Sequence, residues 1–246
     1  MTKNVLDRSK FNPARIRLCV VGGQGRLGKI VLKTATEHGC EVVATVNRHD
    51  SMPLPEGHEP FDVVVDVSSL EGVHRSVAIA KAHEVPLLEC VTGLDEPAKT
   101  ALRAAESDIP VLHAPNTSMG VAILRVALRS IGSLTGSWAV TISETHHEKK
   151  IDRPSGTARS LVDDLRMSGG DIGDEDVVSR RVGEVVGEHE VTFVRDDEII
   201  KLKHQALDRG VFAHGVLRAA VWLAKGRPPG RYSIEDTLAD LPGITD

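Results

Sequence analysis

Aromatic side chains are scarce, at 3% of 246 residues: two Trp, one Tyr and four Phe. A core must therefore come from Val, Leu, Ile and Ala, and a chain this long can bury one large core or two modest ones. Basic charge is also lacking, since 30 Lys and Arg stand against 35 Asp and Glu, a formal net charge of −5. That argues against nucleic acid as the main partner, while leaving room for a local cationic pocket. The three cysteines, Cys19, Cys40 and Cys90, are odd in number and lie on or beside apolar runs, which suits buried free thiols in a reducing compartment. The segment MTKNVLDRSKFNPARIRL contains no apolar signal-like core, and no stretch is long and apolar enough to span a membrane. A cytoplasmic protein with no membrane partner is expected.

From Ile16 to about Val111, short β-branched runs alternate with stretches of helical periodicity. The strand candidates are IRLCVVG, EVVATV, DVVVDVS, PLLECVTG and IPVLHA, with helices beginning near Arg26, Glu71 and Asp95. Continuous apolar strands separated by helices predict a Rossmann-like, doubly wound parallel sheet in an α/β half. After HAPNTSMG the rhythm changes: an amphipathic stretch from Met119 to Ile131 leads into WAVTISETHH, and then EHEVTFV and EIIKLKHQA read as antiparallel neighbours turning at Asp196-Asp197. A last helix is expected from about Val211 to Ala224. The expected organisation is a dinucleotide-binding domain over 1–117, rejoined by 211–246, and an α+β substrate and oligomerisation domain over 118–210. No internal repeat is visible, and the acidic, Gly-rich RMSGGDIGDEDVV reads as a mobile loop.

The stretch Gly22-Gly23-Gln24-Gly25-Arg26-Leu27-Gly28 directly follows an apolar strand and heads a helix. Glycine is needed where a tight turn brings backbone against a pyrophosphate, and the helix amides add partial positive charge. A strand-turn-helix can also carry glycines for packing alone, but the βαβ rhythm favours a dinucleotide loop. The second strand ends on Asn47 and Arg48 rather than on an acid. Arginine suits a 2′-phosphate, and with no carboxylate placed to repel one, NADPH is favoured over NADH. Loops after later strands complete such sites, which nominates Thr92 with Gly93, and Ala114, Pro115, Asn116 and Thr117.

The segment ETHHEKKIDRPSGTA concentrates His146, His147 and Lys150 ahead of Ser155, Gly156 and Thr157. A zinc protease motif fails, because Ile151 stands where the second histidine of His-Glu-x-x-His belongs, and adjacent strand histidines point to opposite faces. No metal is expected. Two readings stay open: a solvated charged loop, or a site for a small anion. In the second, Pro154 and Ser155 start a helix whose free Gly156 and Thr157 amides, with the Lys150 ammonium, hold carboxylates while a histidine donates a proton.

On these residues the chain resembles the 4-hydroxy-tetrahydrodipicolinate reductase family, from the diaminopimelate branch of lysine biosynthesis. The stretches GGQGRLG, VTGLDE, APNTSMG, VVGEHEVTF and FAHGVLRAAVWL follow in the family's order. The resemblance implies His146 as catalytic acid, Lys150 as its support and a carboxylate ligand, and His147, Ser155, Gly156 and Thr157 on the substrate. It implies NAD(P)H-dependent reduction of a cyclic unsaturated dicarboxylate, formed when hydroxytetrahydrodipicolinate loses water, by a homotetramer. The chain departs from the pattern at Asn47, where an acid is common, at Cys90-Val91-Thr92, where Gly-Thr-Thr is common, and at Thr117, where an aromatic is usual. Two other readings explain part of the chain: a different two-domain NAD(P)-dependent oxidoreductase, or a non-catalytic NADPH-binding regulator. His189 and His204 read as structural, Arg209 as a hinge residue or an ion-pair partner, and His113 as a satisfied core histidine or a cofactor-edge residue.

Overall fold

A computed structural model describes residues 15–50, 54 and 59–240. Residues 1–14 and 241–246, which carry the leader question and the outer ends of the expected first domain, lie outside the described residues.

The β-branched runs become parallel strands: β1 (Ile16–Val21), β2 (Cys40–Val46), β3 (Val63–Asp66), β4 (Leu87–Glu89) and β5 (Pro110–His113). A sixth, β10 (Gly230–Tyr232), joins from the far end of the chain, giving the order β10-β5-β4-β3-β1-β2. Both faces are covered, which is why β3 has no polar alternation over Val63, Val64 and Val65. Helices α1 (Arg26–Thr34) and α6 (Gly210–Leu223) pack over Leu18, Val20 and Val65 on one face. On the other, α2 (Val73–Ala82) and α3 (Glu96–Ala105) cover Cys19, Val64 and Leu87. Strand order reverses between β1 and β3, so a crevice opens at the carboxyl ends of these strands.

The second sheet is built from β6 (Ala139–His146), β7 (Val177–Arg181), β8 (Gly187–Arg195) and β9 (Glu198–Ala206), in the order β7-β6-β8-β9. Strands β6, β8 and β9 are antiparallel, and Arg195 opposes Glu198 across the Asp196-Asp197 turn. Burial alternates along β6 because only one face is covered, by α4 (Met119–Gly132) and α5 (Gly156–Met167), over Val140, Ile142, Val191 and Phe193. Buried Asp164 of α5 accepts two hydrogen bonds from Arg125 of α4, whose Nη1 also pairs with Glu235 at 2.5 Å. That network ties the returning C-terminal segment to the second sheet's helices.

One expectation is corrected. The segment Arg166 to Val178 is not a featureless mobile loop: α5 continues to Met167, the Gly173 amide donates to Asp176, and Val177 and Val178 open β7. Neither β7 nor β10 was foreseen, because VVSRR shows no clean alternation and three residues of β10 are too few for a period.

Candidate active site

The glycine loop is built as its sequence requires. Gly22 adopts φ +86°, and a Cβ there would lie 2.6 Å from the Ser68 backbone. A Cβ on Gly28 would come 2.3 Å from the Gly22 carbonyl oxygen, so helix α1 can approach the loop only with glycine there. Gly25 caps α1 without a side-chain bond, and the first turn holds no acid, which leaves the helix N-terminus open to an anion. The end of β2 supports the loop: the Gln24 amide donates to Asn47 Oδ1 at 3.3 Å, and Arg75 Nη1 donates to the Asn47 carbonyl at 2.5 Å. One expectation fails here, for Asp50 places a carboxylate at this point. Its Oδ2 accepts from the Asn47 amide at 2.6 Å and from Asn47 Nδ2 at 3.3 Å, while Arg48 is exposed.

In the second domain, the two-residue period of β6 puts Glu144 and His146 on one covered face. His146 Nδ1 and Glu144 Oε2 lie 2.5 Å apart. Arg181, in register with His146 on β7, grips Glu144 with both terminal nitrogens at 2.9 Å, donates from Nε to the Lys150 carbonyl and from Nη2 to the Asp152 carbonyl. This single guanidinium thus fixes the Lys150 loop over the Glu144-His146 pair. Burial works to raise the Glu144 carboxyl, but bonds from Arg181 chiefly, with Ser179 and His146, hold it below the ordinary range. Burial lowers the pKa of His146, Glu144 opposes the lowering, and Lys150 and Arg181 add to it. His189, edge-on to His146 at 5.1 Å, is pushed down to about 3, first by burial and then by His146, so it stays neutral.

Ser155 caps α5, its Oγ accepting from the Ala158 amide at 3.1 Å and meeting His189 Nε2 at 3.2 Å, while its own amide donates to Glu144 at 3.3 Å. The Gly156 amide is not free as expected, because it donates to Asp152 Oδ2 at 3.3 Å, and Lys150 Nζ sits 2.8 Å from Asp152 Oδ1. Asp152 thereby satisfies, with its own carboxylate, two donors suited to a ligand's. Thr157 reaches the other half of the molecule: Asn116 Nδ2 donates to its Oγ1 at 2.8 Å. His147 is partly exposed, and its pKa is lowered by burial and then by the charge of Arg209, with Lys150 and Arg26 adding. Arg26 belongs to the glycine loop's helix, so that charge reaches across from the first domain.

His146, Lys150, Ser155, Gly156 and Thr157 therefore gather around one helix N-terminus, with His147 beside it. Among the loop residues, Thr92 and Pro115 are exposed and Asn116 is half-buried, whereas Ala114 is buried. The Thr117 side chain is 3% exposed, and its Oγ1 donates to the Phe212 carbonyl at 2.7 Å. His113 is satisfied in part: it bonds the Val91 backbone, while its buried Nε2 has no partner. His204 meets Ser118 Oγ at 3.2 Å over the start of α4. Among the described residues, no group of three or more His, Cys, Asp or Glu is placed to hold a metal. Glu144 and Arg181 went unassigned in the sequence. The i, i+2 spacing of Glu144 and His146 was the available signal for the first, and nothing local marks the second.

A glycine-loop sheet joined to a second domain bearing a histidine-lysine cluster at a helix N-terminus defines a two-domain nucleotide-dependent oxidoreductase. Residues 16–117 match the family "Dihydrodipicolinate reductase, N-terminus" and residues 120–238 match "Dihydrodipicolinate reductase, C-terminus". The chain is 36% identical over 243 residues to 4-hydroxy-tetrahydrodipicolinate reductase of Stenotrophomonas maltophilia (strain R551-3), covering 93% of this chain and 100% of the relative. It is 37% identical over 237 residues to the enzyme of the same name from Xanthomonas campestris pv. campestris (strain B100), with 91% and 98% covered. In fold it is similar to dipicolinate-bound dihydrodipicolinate reductase from Paenisporosarcina sp. TG-14, with TM-score 0.73, 18% identity, and 90% of this chain and 99% of that one covered. The chain belongs to the dihydrodipicolinate reductase family, a family of NAD(P)H-dependent oxidoreductases.

Proposed function

We propose that the protein reduces the cyclic unsaturated dicarboxylate formed when 4-hydroxy-tetrahydrodipicolinate loses water, giving tetrahydrodipicolinate for lysine and diaminopimelate synthesis. The observation that carries this reading is the Asn116–Thr157 bond, which joins the loop after β5 to the anion-binding end of α5. The dipicolinate bound in the Paenisporosarcina structure supports a dicarboxylate ligand. NAD(P)H, when bound along the glycine loop, supplies a hydride.

The chain's own residues do the rest. Lys150 and the amides of Gly156 and Thr157 hold carboxylates, the first two exchanging Asp152 for the substrate. His147 contacts the substrate from the solvent side, and Ser155 fixes the helix end. His146 delivers the proton. Its lowered pKa leaves it neutral at rest, and the two negative charges of a bound dicarboxylate oppose Lys150 and Arg181 and draw a proton onto it. Glu144 then faces an imidazolium and holds its orientation.

The reading extends to an NADPH preference, supported by Arg48 and Arg75 beside Asn47 and opposed by Asp50. It also places the protein in the cytoplasm as a homotetramer. The buried unpaired cysteines support the first, and Val178, Val194 and Ile199, exposed on the open face of the second sheet, support the second.

The test is His146→Gln, assayed with freshly generated substrate and both nucleotides. Turnover is expected to fall by roughly two to four orders of magnitude with NADPH binding intact, as loss of a general acid does. Unchanged turnover would remove His146 from the role.

A further inference from the structure

Beneath the glycine loop lies a pair of buried acids that the reaction does not use. Asp66 and Glu89 end adjacent strands β3 and β4 and are paired in register, and both are 0% exposed. In-register residues of parallel strands point to the same face, here the face covered by α2 and α3. Asp66 Oδ1 accepts from the Ser68 amide at 2.8 Å and from Ser68 Oγ at 2.5 Å. Glu89 Oε1 accepts from the Val91 amide at 2.8 Å, and Oε2 meets Ser76 Oγ at 3.4 Å. Asp66 Oδ2 is buried and has no donor, and the Ser76 hydroxyl and the Glu89 carboxyl are the side chains beside the Asp66 carboxyl. Two buried carboxyls can face each other without repulsion only when one is protonated and donates to the other.

Each acid anchors a different loop. Ser68 is the residue against which Gly22 packs, so Asp66 sets the floor of the glycine loop. Val91 precedes Thr92 and Gly93, so Glu89 sets the loop after β4.

We infer that Asp66 and Glu89 share one proton, and that this carboxyl–carboxylate bond is a positioning device that holds the two nucleotide-facing loops in register. The inference rests on the proposed placement of the nucleotide along the glycine loop. Burial, and then the Asp66 charge, push Glu89 up to about 9, while burial raises Asp66 against the bonds from Ser68. The titratable neighbours do not compete. His113 on β5, in register with Glu89, has a lowered pKa through burial, with Arg231 and Lys99 of α3 adding to that direction. Cys90 is pushed well up by burial and then by Glu89 and Asp66, and α2 contributes the neutral Ser76 hydroxyl. Removing the shared proton leaves two facing carboxylates in a dry site, and the loops must part to admit water.

The experiment is NADPH titration of the full chain from pH 7.5 to 10.5, followed by nucleotide fluorescence, with far-UV circular dichroism confirming the fold throughout. Affinity is expected to weaken about tenfold as pH rises through 9, the effect of roughly one unit of differential proton affinity. Glu89→Gln keeps the acceptor for Val91 and supplies a permanent donor to Asp66, so its NADPH affinity should stay constant from pH 7.5 to 10.5, without the alkaline limb. Asp66→Asn, which removes the like charge, should also flatten the limb. An alkaline limb that persists unchanged in Glu89→Gln overturns the inference, as does a wild-type affinity flat across the range. Wild-type protein that fails to bind NADPH at pH 7.5 overturns the nucleotide placement as well, which separates the two failures.

Discussion

Asn116 and Thr157, 41 residues apart, are joined by one hydrogen bond of 2.8 Å that runs from the loop after β5 to the first turn of α5. Asn116 is itself braced, its Oδ1 accepting from the Ser118 amide at 2.9 Å. The bond therefore fixes the helix end that gathers the carboxylate donors against the sheet that carries the glycine loop. A contact of this kind sets relative placement more than stability.

That relationship predicts energetic coupling in catalysis. Asn116→Ala and Thr157→Val should each lower kcat/KM, and the double variant should lose less than the product of the two. A coupling of about 1 kcal/mol, roughly fivefold, is expected for one hydrogen bond. Strictly multiplicative losses in the double-mutant cycle would show that the two side chains act independently.

The Glu144–His146 pair predicts a pH dependence. Burial lowers the His146 pKa from 6.5 and Glu144 partly restores it, so the protonated acid of the free enzyme is lost as pH rises through a value below 6.5. Because kcat/KM reports the free enzyme, its basic limb should lie there, and the limb in kcat should lie higher because bound dicarboxylate stabilises the imidazolium. Glu144→Gln removes the restoring charge and should move the kcat/KM limb to lower pH, with a loss of about 10- to 100-fold at neutral pH. A limb that does not move would leave Glu144 no part in tuning the histidine.

Asp152 predicts competition for the carboxylate donors. Lys150→Met should weaken binding of pyridine-2,6-dicarboxylate by about tenfold or more while NADPH binding holds, as loss of a charge-assisted bond does. Asp152→Asn frees Lys150 and the Gly156 amide, and should tighten the same ligand several-fold at low ionic strength. Calorimetry distinguishes these signs, and weaker binding in Asp152→Asn would show that Asp152 organises the site rather than occupying it.

Arg181 predicts a large stability effect away from solvent. Its side chain is 3% exposed and its partner Glu144 is 0% exposed, so Arg181→Met takes the permanent cation from a buried carboxylate that keeps His146 and the Ser155 amide, at a cost of about 3 kcal/mol. Arg181 helps hold the Glu144 carboxyl below its ordinary range, so wild-type stability from this source is present above pH 4.5 and is lost as pH falls through the depressed value. In the variant the carboxyl titrates higher. The deficit should therefore be greatest at neutral pH and shrink in acid, read as the gap between the two melting temperatures across pH.

Much of the fold was legible because its signals are local. Runs such as VVVD suit a strand buried on both faces, and GGQGRLG suits a tight turn into a helix. Within the site, His146, Lys150 and Ser155 stood out because they lie in one short segment. Arg181 did not, for it reaches Glu144 from a strand 37 residues away, and its meaning exists only once β7 pairs with β6. The place of Asp50 beside Asn47 depends on a turn of the chain, and nothing in APNT reveals that Phe212 takes the Thr117 hydroxyl.

The sequence by itself determined the strand and helix types, the glycine loop and the residues that carry charge and proton chemistry, because those follow from side-chain period and backbone permission over a few neighbours. Only the tertiary structure decided which carboxylates meet which cations, that Asp152 fills the donors at rest, and that two acids from separate strands face each other in the dry interior. Those facts arise where strands distant in the chain are brought into register, and burial there turns a contact that water would screen into one that sets protonation and position.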